Sequence, residues 1–260
     1  MVGLKIRINQ QSAPVNVSRI CPVNFTAATS NLVLPVKNKS FFPEAFRDKT
    51  RLTYYASLFN SVEINASFYK LPRLATVKKW ECETDKDFRF SFKLIQTVTH
   101  ANKNEFDLRH IPAFLEAIAI EKRGCLLVQL PPKFGPDPVQ LNLLLQILDA
   151  SGWNVAIEFR HPGWYTATAF GLLQKYNAAL VIHDLKKPAP PMELTADHVY
   201  LRFHGPEADY RGSYSDEFLA EYTSYIHEWL DEGKNVYAYF NNTLGAAVQN
   251  LQTLNAFINV

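Results

Sequence analysis

The sequence predicts a (β/α)8 TIM-type barrel, an α/β fold, and three observations carry that prediction. Its 260 residues suit one large domain, 1–260, rather than two small ones. Beyond residue 50, short runs rich in β-branched and aromatic residues alternate with helical patterns. The chain also lacks the glycine-rich first turn that usually marks an open doubly wound sheet. Eight strands alternating with helices over about 250 residues is the size and rhythm of a closed barrel.

The first strand must come from residues 1–40, where Leu4 to Asn9 alternates and Arg19 to Phe25 is a second option. This divergent N-terminal segment, 1–40, makes the barrel irregular at its first strand. A helical pattern over Arg51 to Phe59 then leads to a strand at Val62 to Asn65. Thr76 to Trp80 is helical, and Phe88 to Lys93 is the third strand. Ile111 to Glu121 forms the next helix, followed by a strand at Leu126 to Gln129 that Leu130, Pro131 and Pro132 end as a rigid turn. Pro138 to Leu148 is helical, Val155 to Phe159 a strand, Thr166 to Tyr176 helical and Ala179 to His183 a strand. Between Asp184 and Val199, Pro188, Pro190 and Pro191 leave no room for a full helix. Val199 to Phe203 is the seventh strand. In the helix from Ser215 to Asp231, Phe218, Tyr222, Tyr225 and Trp229 recur at i, i+4, i+7 and i+11, which marks a buried face. Val236 to Phe240 closes the set before a last helix at Leu244 to Ile258.

Composition excludes several functional classes. Hydrophobic residues at 47%, with 18 Phe, 12 Tyr and 4 Trp, supply a large core and exclude disorder. Lys plus Arg is 27 against 25 Asp plus Glu, and the net charge of +2 contains no block of like charge. Binding to nucleic acid or lipid through bulk charge is therefore not expected. Cys21, Cys82 and Cys125 lie far apart, so they are expected as buried thiols of a reducing compartment, without a disulfide framework. No apolar signal segment opens the chain, and charged, amide or proline residues break the apolar stretches, which predicts a cytoplasmic protein without membrane spans.

The glycines never stand closer than the seven positions between Gly205 and Gly212, which removes GxGxxG, the Walker A loop and GxSxG. His227 and Glu228 are followed by Trp-Leu-Asp, so the HExxH zinc helix is absent as well.

Several segments are similar to one family. FFPEAF, YYASLFNSVEINASFYKLP, FSFKLIQTVTH, LLVQLPPKF, AIEFRHPGWY, YLRFHG with YRGSYS downstream, and VYAYFNNTLGAAVQN all resemble the DUF72 (YecE-like) family. They run in collinear order from about Phe41 to Asn250, roughly four fifths of the chain. The resemblance implies a (β/α)8-type barrel and no particular activity. Members of the family typically open with a strand running into a Gly-Thr-Ser-Gly-Trp-like turn. This chain has INQQSAPVNVSRICPVNFTAATS there and no glycine between Gly3 and Gly124; if that loop gives backbone amides to a ligand, this chain is expected to bind differently or to have lost the activity.

In a barrel the active site lies at the C-terminal strand ends, and here those ends are polar. They carry Glu63 and Asn65, Lys93, Gln129, Glu158 with Arg160 and His161, His183 and Asp184, Arg202 with His204, and Asn241 with Asn242. Strand alternation puts Glu63 with Asn65, Glu158 with Arg160, Arg202 with His204, and Tyr239 with Asn241 on shared faces. Buried ions need partners, so these charges pair with each other or with a ligand. Lys93, Arg160 and Arg202, with Asn65, Asn241 and Asn242, suit a small anion such as a phosphate or carboxylate. Glu63 and Glu158 are then candidate acid and base, with His204 or His161 as proton shuttle. His100 and the loop tyrosine Tyr210 are further candidates to touch ligand, as Trp164, Tyr69 and Tyr214 are to wall the mouth.

Three alternatives stand beside this acid–base enzyme of a small anionic metabolite, which needs no cofactor. Glu158, Asp184 and His204, joined by His100 or His183, would make a divalent-metal site for a hydrolase or isomerase, although Arg160 and Arg202 would repel the cation. The charges could instead brace the barrel as an internal salt-bridge ring. The whole could be a non-catalytic ligand-binding or scaffold barrel.

Overall fold

A computed structural model describes residues 24–100, 105–185 and 190–259. Eight strands form one parallel sheet: β1 (Phe25–Thr29), β2 (Ser61–Ile64), β3 (Arg89–Lys93), β4 (Arg123–Gln129), β5 (Asn154–Glu158), β6 (Ala179–His183), β7 (His198–Phe203) and β8 (Asn235–Phe240). Their order is β1-β8-β7-β6-β5-β4-β3-β2, the order of a barrel in which each strand sits beside its sequence neighbour. Around it run α1 (Arg51–Leu58), α2 (Leu74–Cys82), α3 (Gln96–Thr99), α4 (Ile111–Ala117), α5 (Pro138–Asp149), α6 (Ala167–Lys175), α7 (Asp216–Asp231) and α8 (Ala247–Ile258). This is a TIM-type barrel.

The helices start where their caps dictate. Thr50, Asp137, Thr166 and Ser215 accept backbone N–H bonds at the N-termini of α1, α5, α6 and α7, satisfying donors that have no intrahelical partner. Among the described residues no helix joins β6 to β7, as the prolines there require.

Strand alternation sorts the core into two parts. Outward-facing Val62, Phe90, Phe92, Leu126, Val128, Ile157, Leu201 and Phe240 pack under the helices in the large apolar cluster. Inward-facing Ala28, Cys125, Leu127, Ala156, Ala179, Val181, Tyr200, Tyr237 and Tyr239 fill the barrel. The tyrosine hydroxyls inside are satisfied: Tyr239 bonds Ser61 at 2.9 Å and Ser91 at 2.7 Å, and Tyr237 accepts from Asn154 at 3.1 Å. The lumen is thus plugged by these side chains.

The first strand is Phe25–Thr29, not either segment proposed from the sequence. Leu4 to Asn9 lies outside the described residues, and Arg19 to Phe25 meets β1 only at Phe25. FTAAT gives little strand signal in the sequence, because alanines stand where longer apolar side chains mark the other strands. It pairs with β8 from Phe25↔Val236 to Thr29↔Phe240.

Between β1 and β2 the barrel is not sealed by a continuous ladder. One bridge joins Ser30 and Glu63, and the Asn31 amide donates to the Glu63 carbonyl at 2.7 Å. Lower down, the Asn60 side chain fills the gap. Its Oδ1 accepts from the Ala27 amide at 3.1 Å and its Nδ2 donates to the Phe25 carbonyl at 2.9 Å. An amide side chain thereby stands in for a strand's backbone.

Two lesser expectations are corrected. Cys82 is exposed at the end of α2, whereas Cys125 is buried in the lumen as expected; Cys21 lies outside the described residues. Of the α7 aromatic stripe, only Trp229 is fully buried; Phe218, Tyr222 and Tyr225 are half-buried against the core, and Leu219 and Ile226 complete the face. No helix among the described residues is long and apolar enough to cross a membrane.

Candidate functional site

The C-terminal ends of β2, β5 and β7 bring together Glu63, Glu158 and Arg202, three charged side chains with at most 2% exposure. Arg202 donates from Nη2 to Glu63 Oε1 at 2.8 Å, from Nε to Glu63 Oε2 at 3.0 Å, and from Nη1 to Glu158 Oε2 at 2.7 Å. Glu63 also accepts from Ser30 at 2.7 Å, Asn65 at 2.9 Å and Tyr200 at 2.7 Å. Burial alone would raise the Glu63 carboxyl, but the Arg202 charge and these bonds outweigh it and hold the carboxyl below the usual range. Burial of Glu158 is likewise outweighed by Arg202 and then Arg160, which binds its Oε1 through Nε and Nη2, so this carboxyl stays well below the usual range.

Beside this ladder stands an Asp–His pair. Asp184, just after β6, accepts from the His204 backbone amide at 2.8 Å and faces His204 Nδ1 at 3.2 Å. Its other oxygen takes the Tyr214 hydroxyl. His204 Nε2 lies 3.4 Å from both Arg202 Nη1 and Arg160 Nη2. Those neighbours assign the ring proton to Nδ1 and leave a lone pair on Nε2. Burial keeps the His204 ring neutral, against the opposing pull of Asp184.

The loop after β7 holds this pair in place. Gly205 has φ +104, and a Cβ there would lie 2.3 Å from the Arg211 carbonyl oxygen, so only glycine fits. Tyr210, in the left-handed region at φ +67, sets its ring edge-on to His204 at 5.6 Å. Asn242 is buried and spends its amide on the Gly212 carbonyl at 3.2 Å and on Asn250 at 3.0 Å, bracing the loop.

A more accessible layer lies at the same end. Lys93 donates to Gln129 at 2.7 Å and sits 4.2 Å from the centre of the Phe68 ring. Burial, with the Arg202 charge behind it, pushes the Lys93 ammonium down to about 8. Arg160 keeps 14% exposure, and Asn65 and Asn241 are half-buried. His183 is buried and faces His204 at 6.0 Å; its Nδ1 accepts from the Leu185 amide at 3.3 Å, and burial lowers its ring to about 4.

The structure therefore gathers Glu63, Asn65, Glu158, Arg160, Arg202 and His204 into one contact network, with Lys93 held next to Gln129. His161 turns away to accept from the Gly163 amide at 3.0 Å, and His100 is exposed, its ring edge-on to Phe68 at 5.0 Å. Trp164 is fully buried, stacked on Phe159 with its indole N–H on the Phe134 carbonyl, so it is core rather than wall. The metal alternative does not assemble: among the described residues no group of three or more His, Cys, Asp or Glu converges, and guanidinium groups occupy both Glu158 oxygens. Tyr200 and Phe68 were not singled out from the sequence. Tyr200 was findable, being two residues before Arg202 on the inward face of β7; Ser30 was hidden with the misplaced first strand.

The family model described as "Protein of unknown function DUF72" matches residues 31–260. The chain belongs to the DUF72 family. UPF0759 protein YecE of Escherichia coli (strain K12) is 36% identical over 124 residues, covering 45% of this chain and 43% of the relative, so the match spans less than half of that protein. UPF0759 protein YunF of Bacillus subtilis (strain 168) is 24% identical over 240 residues, covering 79% of this chain and 85% of the relative. A crystal structure of a DUF72 family protein from Enterococcus faecalis V583 superposes with a TM-score of 0.75 at 21% identity, covering 91% of this chain and 96% of that one. One from Thermotoga maritima MSB8 gives 0.63 at 22%, over 91% and 99%. These structures establish the fold. In this DUF72 chain the turn after β1 reads Ala28-Thr29-Ser30-Asn31-Leu32, which keeps Thr-Ser at the centre of the expected Gly-Thr-Ser-Gly-Trp-like motif. Asn31 takes φ +65, a conformation that glycine adopts without strain. Ser30 uses the turn to reach Glu63, so the loop departs in composition while serving the charged network.

Proposed function

We propose that this DUF72 barrel is an enzyme that binds a small phosphorylated or carboxylated metabolite at its C-terminal mouth and moves a proton with His204. The observation that carries this reading is the neutral His204 ring, oriented by Asp184 and aimed with Nε2 at Arg160 and Arg202. A neutral imidazole fixed by a carboxylate is a general base at ordinary pH. Burial pushes the Lys93 ammonium down to about 8, so a second group at this end changes protonation near neutral pH. Glu63 and Glu158 are held too firmly ionised for proton transfer and instead orient the guanidinium groups. Arg160, the arginine that keeps some exposure, is the contact for the anion.

A second reading is supported by the mutual satisfaction of Glu63, Arg202 and Glu158: the ring braces a non-catalytic barrel. A thermal-shift screen against phosphate, sugar phosphates, carboxylates, nucleotides and divalent metals separates the two. A ligand at 100 times its Kd adds about 2.7 kcal/mol, a rise of very roughly 5 to 10 °C for a domain of this size. Stabilisation by phosphorylated or carboxylated compounds that disappears in Arg160→Ala supports the anion site. A response to metals alone contradicts it, and a flat response throughout favours the bracing reading.

A further inference from the structure

We propose that Lys93 is a Schiff-base lysine, and that the metabolite taken at the mouth is a small carbonyl compound carrying a carboxylate or phosphate near its carbonyl group. This rests on the anion-binding reading above and adds a covalent step to it.

The argument begins with what surrounds the amine. Lys93 ends β3 on the inward face, and its immediate neighbours are uncharged: the Gln129 amide oxygen at 2.7 Å and the Phe68 ring at 4.2 Å. Among the described residues no carboxylate stands within ion-pair distance of it. The two carboxylates whose charge reaches Lys93, Glu158 and Glu63, already have their oxygens engaged by Arg202 and Arg160. A lysine kept for bracing would sit on one of them. Here the guanidinium groups have taken both, and their own positive charge disfavours the ammonium form. Burial first, and then the Arg202 charge, push the ammonium down to about 8. The amine is nucleophilic and the ammonium is not, so this placement generates a nucleophile close to neutral pH.

The position is also fixed. The Ser67 hydroxyl donates to the Lys93 carbonyl at 2.8 Å and to the Ile64 carbonyl at 2.7 Å, tying the ends of β2 and β3 together. Gln129 holds one N–H and leaves the nitrogen lone pair free for attack. Gln129, which holds the Lys93 amine, is in register with Glu158, whose carboxylate holds Arg160, so the amine and the proposed anion contact share one end of neighbouring strands.

In the step, the Lys93 nitrogen pair forms a bond to the carbonyl carbon while the C=O π pair moves to oxygen, which takes a proton. The nitrogen then releases a proton, the oxygen takes up another and leaves as water, and the nitrogen pair closes the C=N bond. Amine, carbonyl and one proton give a protonated imine and water, with no oxidant or reductant.

The test is reductive trapping in the full chain with glyoxylate, pyruvate and glyceraldehyde 3-phosphate at pH 8. Borohydride supplies the hydride that converts an imine to a stable secondary amine. Intact mass and peptide mapping then locate the adduct, and thermal shifts are recorded with the same compounds. One adduct on Lys93, at least tenfold weaker at that site in Arg160→Ala and absent from Lys93→Arg, supports the proposal. An equal spread over surface lysines overturns it. Stabilisation without any adduct overturns the Schiff-base step and leaves the anion site standing, whereas neither stabilisation nor adduct overturns both.

Discussion

Arg202 grips Glu63 as a two-point fork, Nη2 to Oε1 at 2.8 Å and Nε to Oε2 at 3.0 Å, with neither side chain more than 2% exposed. The third arm of the same guanidinium reaches Glu158 at 2.7 Å. The planar fork cannot be copied by an ammonium group. Removing Arg202 would leave two buried carboxylates facing each other without their shared cation. Arg202→Met and Arg202→Lys are each expected to cost about 3–5 kcal/mol in urea denaturation, by the usual penalty for breaking one side of a buried pair. The double variant Glu63→Leu/Arg202→Met is expected to recover part of that loss, because Glu158 then keeps Arg160. A loss below about 1 kcal/mol for Arg202→Met would show that the fork bears little of the fold's stability.

Acid should act through the same two carboxylates. In the unfolded chain a glutamate protonates near 4.5, whereas Glu63 and Glu158 do so at lower pH in the folded barrel. Below about 4.5 the unfolded state therefore binds more protons, and stability falls as pH drops toward the folded values. Above that window the contribution is fully present. Melting curves between pH 7 and 3 are expected to fall steeply below about 4.5, and Glu158→Gln is expected to melt lower at pH 7 but with a shallower acid decline.

Much of this site was legible in the sequence because strand alternation is a rigid rule. Once Val199 to Phe203 is a strand, Arg202 and His204 must share a face, and the same rule pairs Glu158 with Arg160. What the rule does not contain is the partner. That Arg202 spans from β2 to β5 follows from closure of the barrel, which no local pattern encodes. The turn at Ser30 and Asn31 was hidden for a different reason: Thr-Ala-Ala-Thr is too weakly apolar to announce a strand. Its burial comes from β8 and from Tyr55, whose hydroxyl takes the Thr29 amide at 2.9 Å.

The Asp184–His204 contact fixes a tautomer, and tautomers are measurable. With Nδ1–H on Asp184, guanidinium N–H groups toward Nε2, and burial lowering the ring from its ordinary value, His204 is expected to be neutral with its proton on Nδ1 at pH 7 to 8. Nitrogen NMR of histidine-labelled protein distinguishes the two ring nitrogens directly. Asp184→Asn is expected to populate the other tautomer. An unchanged His204 tautomer in Asp184→Asn would mean that the arginines, not Asp184, set it.

Asn60 carries a load out of proportion to its size. At the seam between β1 and β2, where continuous strand pairing is missing, its Oδ1 satisfies the Ala27 amide and its Nδ2 the Phe25 carbonyl. Truncation would strand both backbone groups where the barrel wall limits water, at about 1–3 kcal/mol for each buried group left unpaired. Asn60→Ala is therefore expected to destabilise the fold by about 2–6 kcal/mol and to speed hydrogen exchange at the Ala27 amide before the β7 amides respond. Asn60→Asp should be nearly as damaging, since it keeps the acceptor for Ala27 but sets a carboxylate against the Phe25 carbonyl oxygen. Loosening β1 would also loosen the Ser30 bond to Glu63 at the far end of the same strand. If the proposed anion site is correct, the seam variant is thus expected to weaken binding there although no hydrogen bond joins Asn60 to Glu63, Glu158 or Arg202, and unchanged affinity in Asn60→Ala would uncouple seam from site.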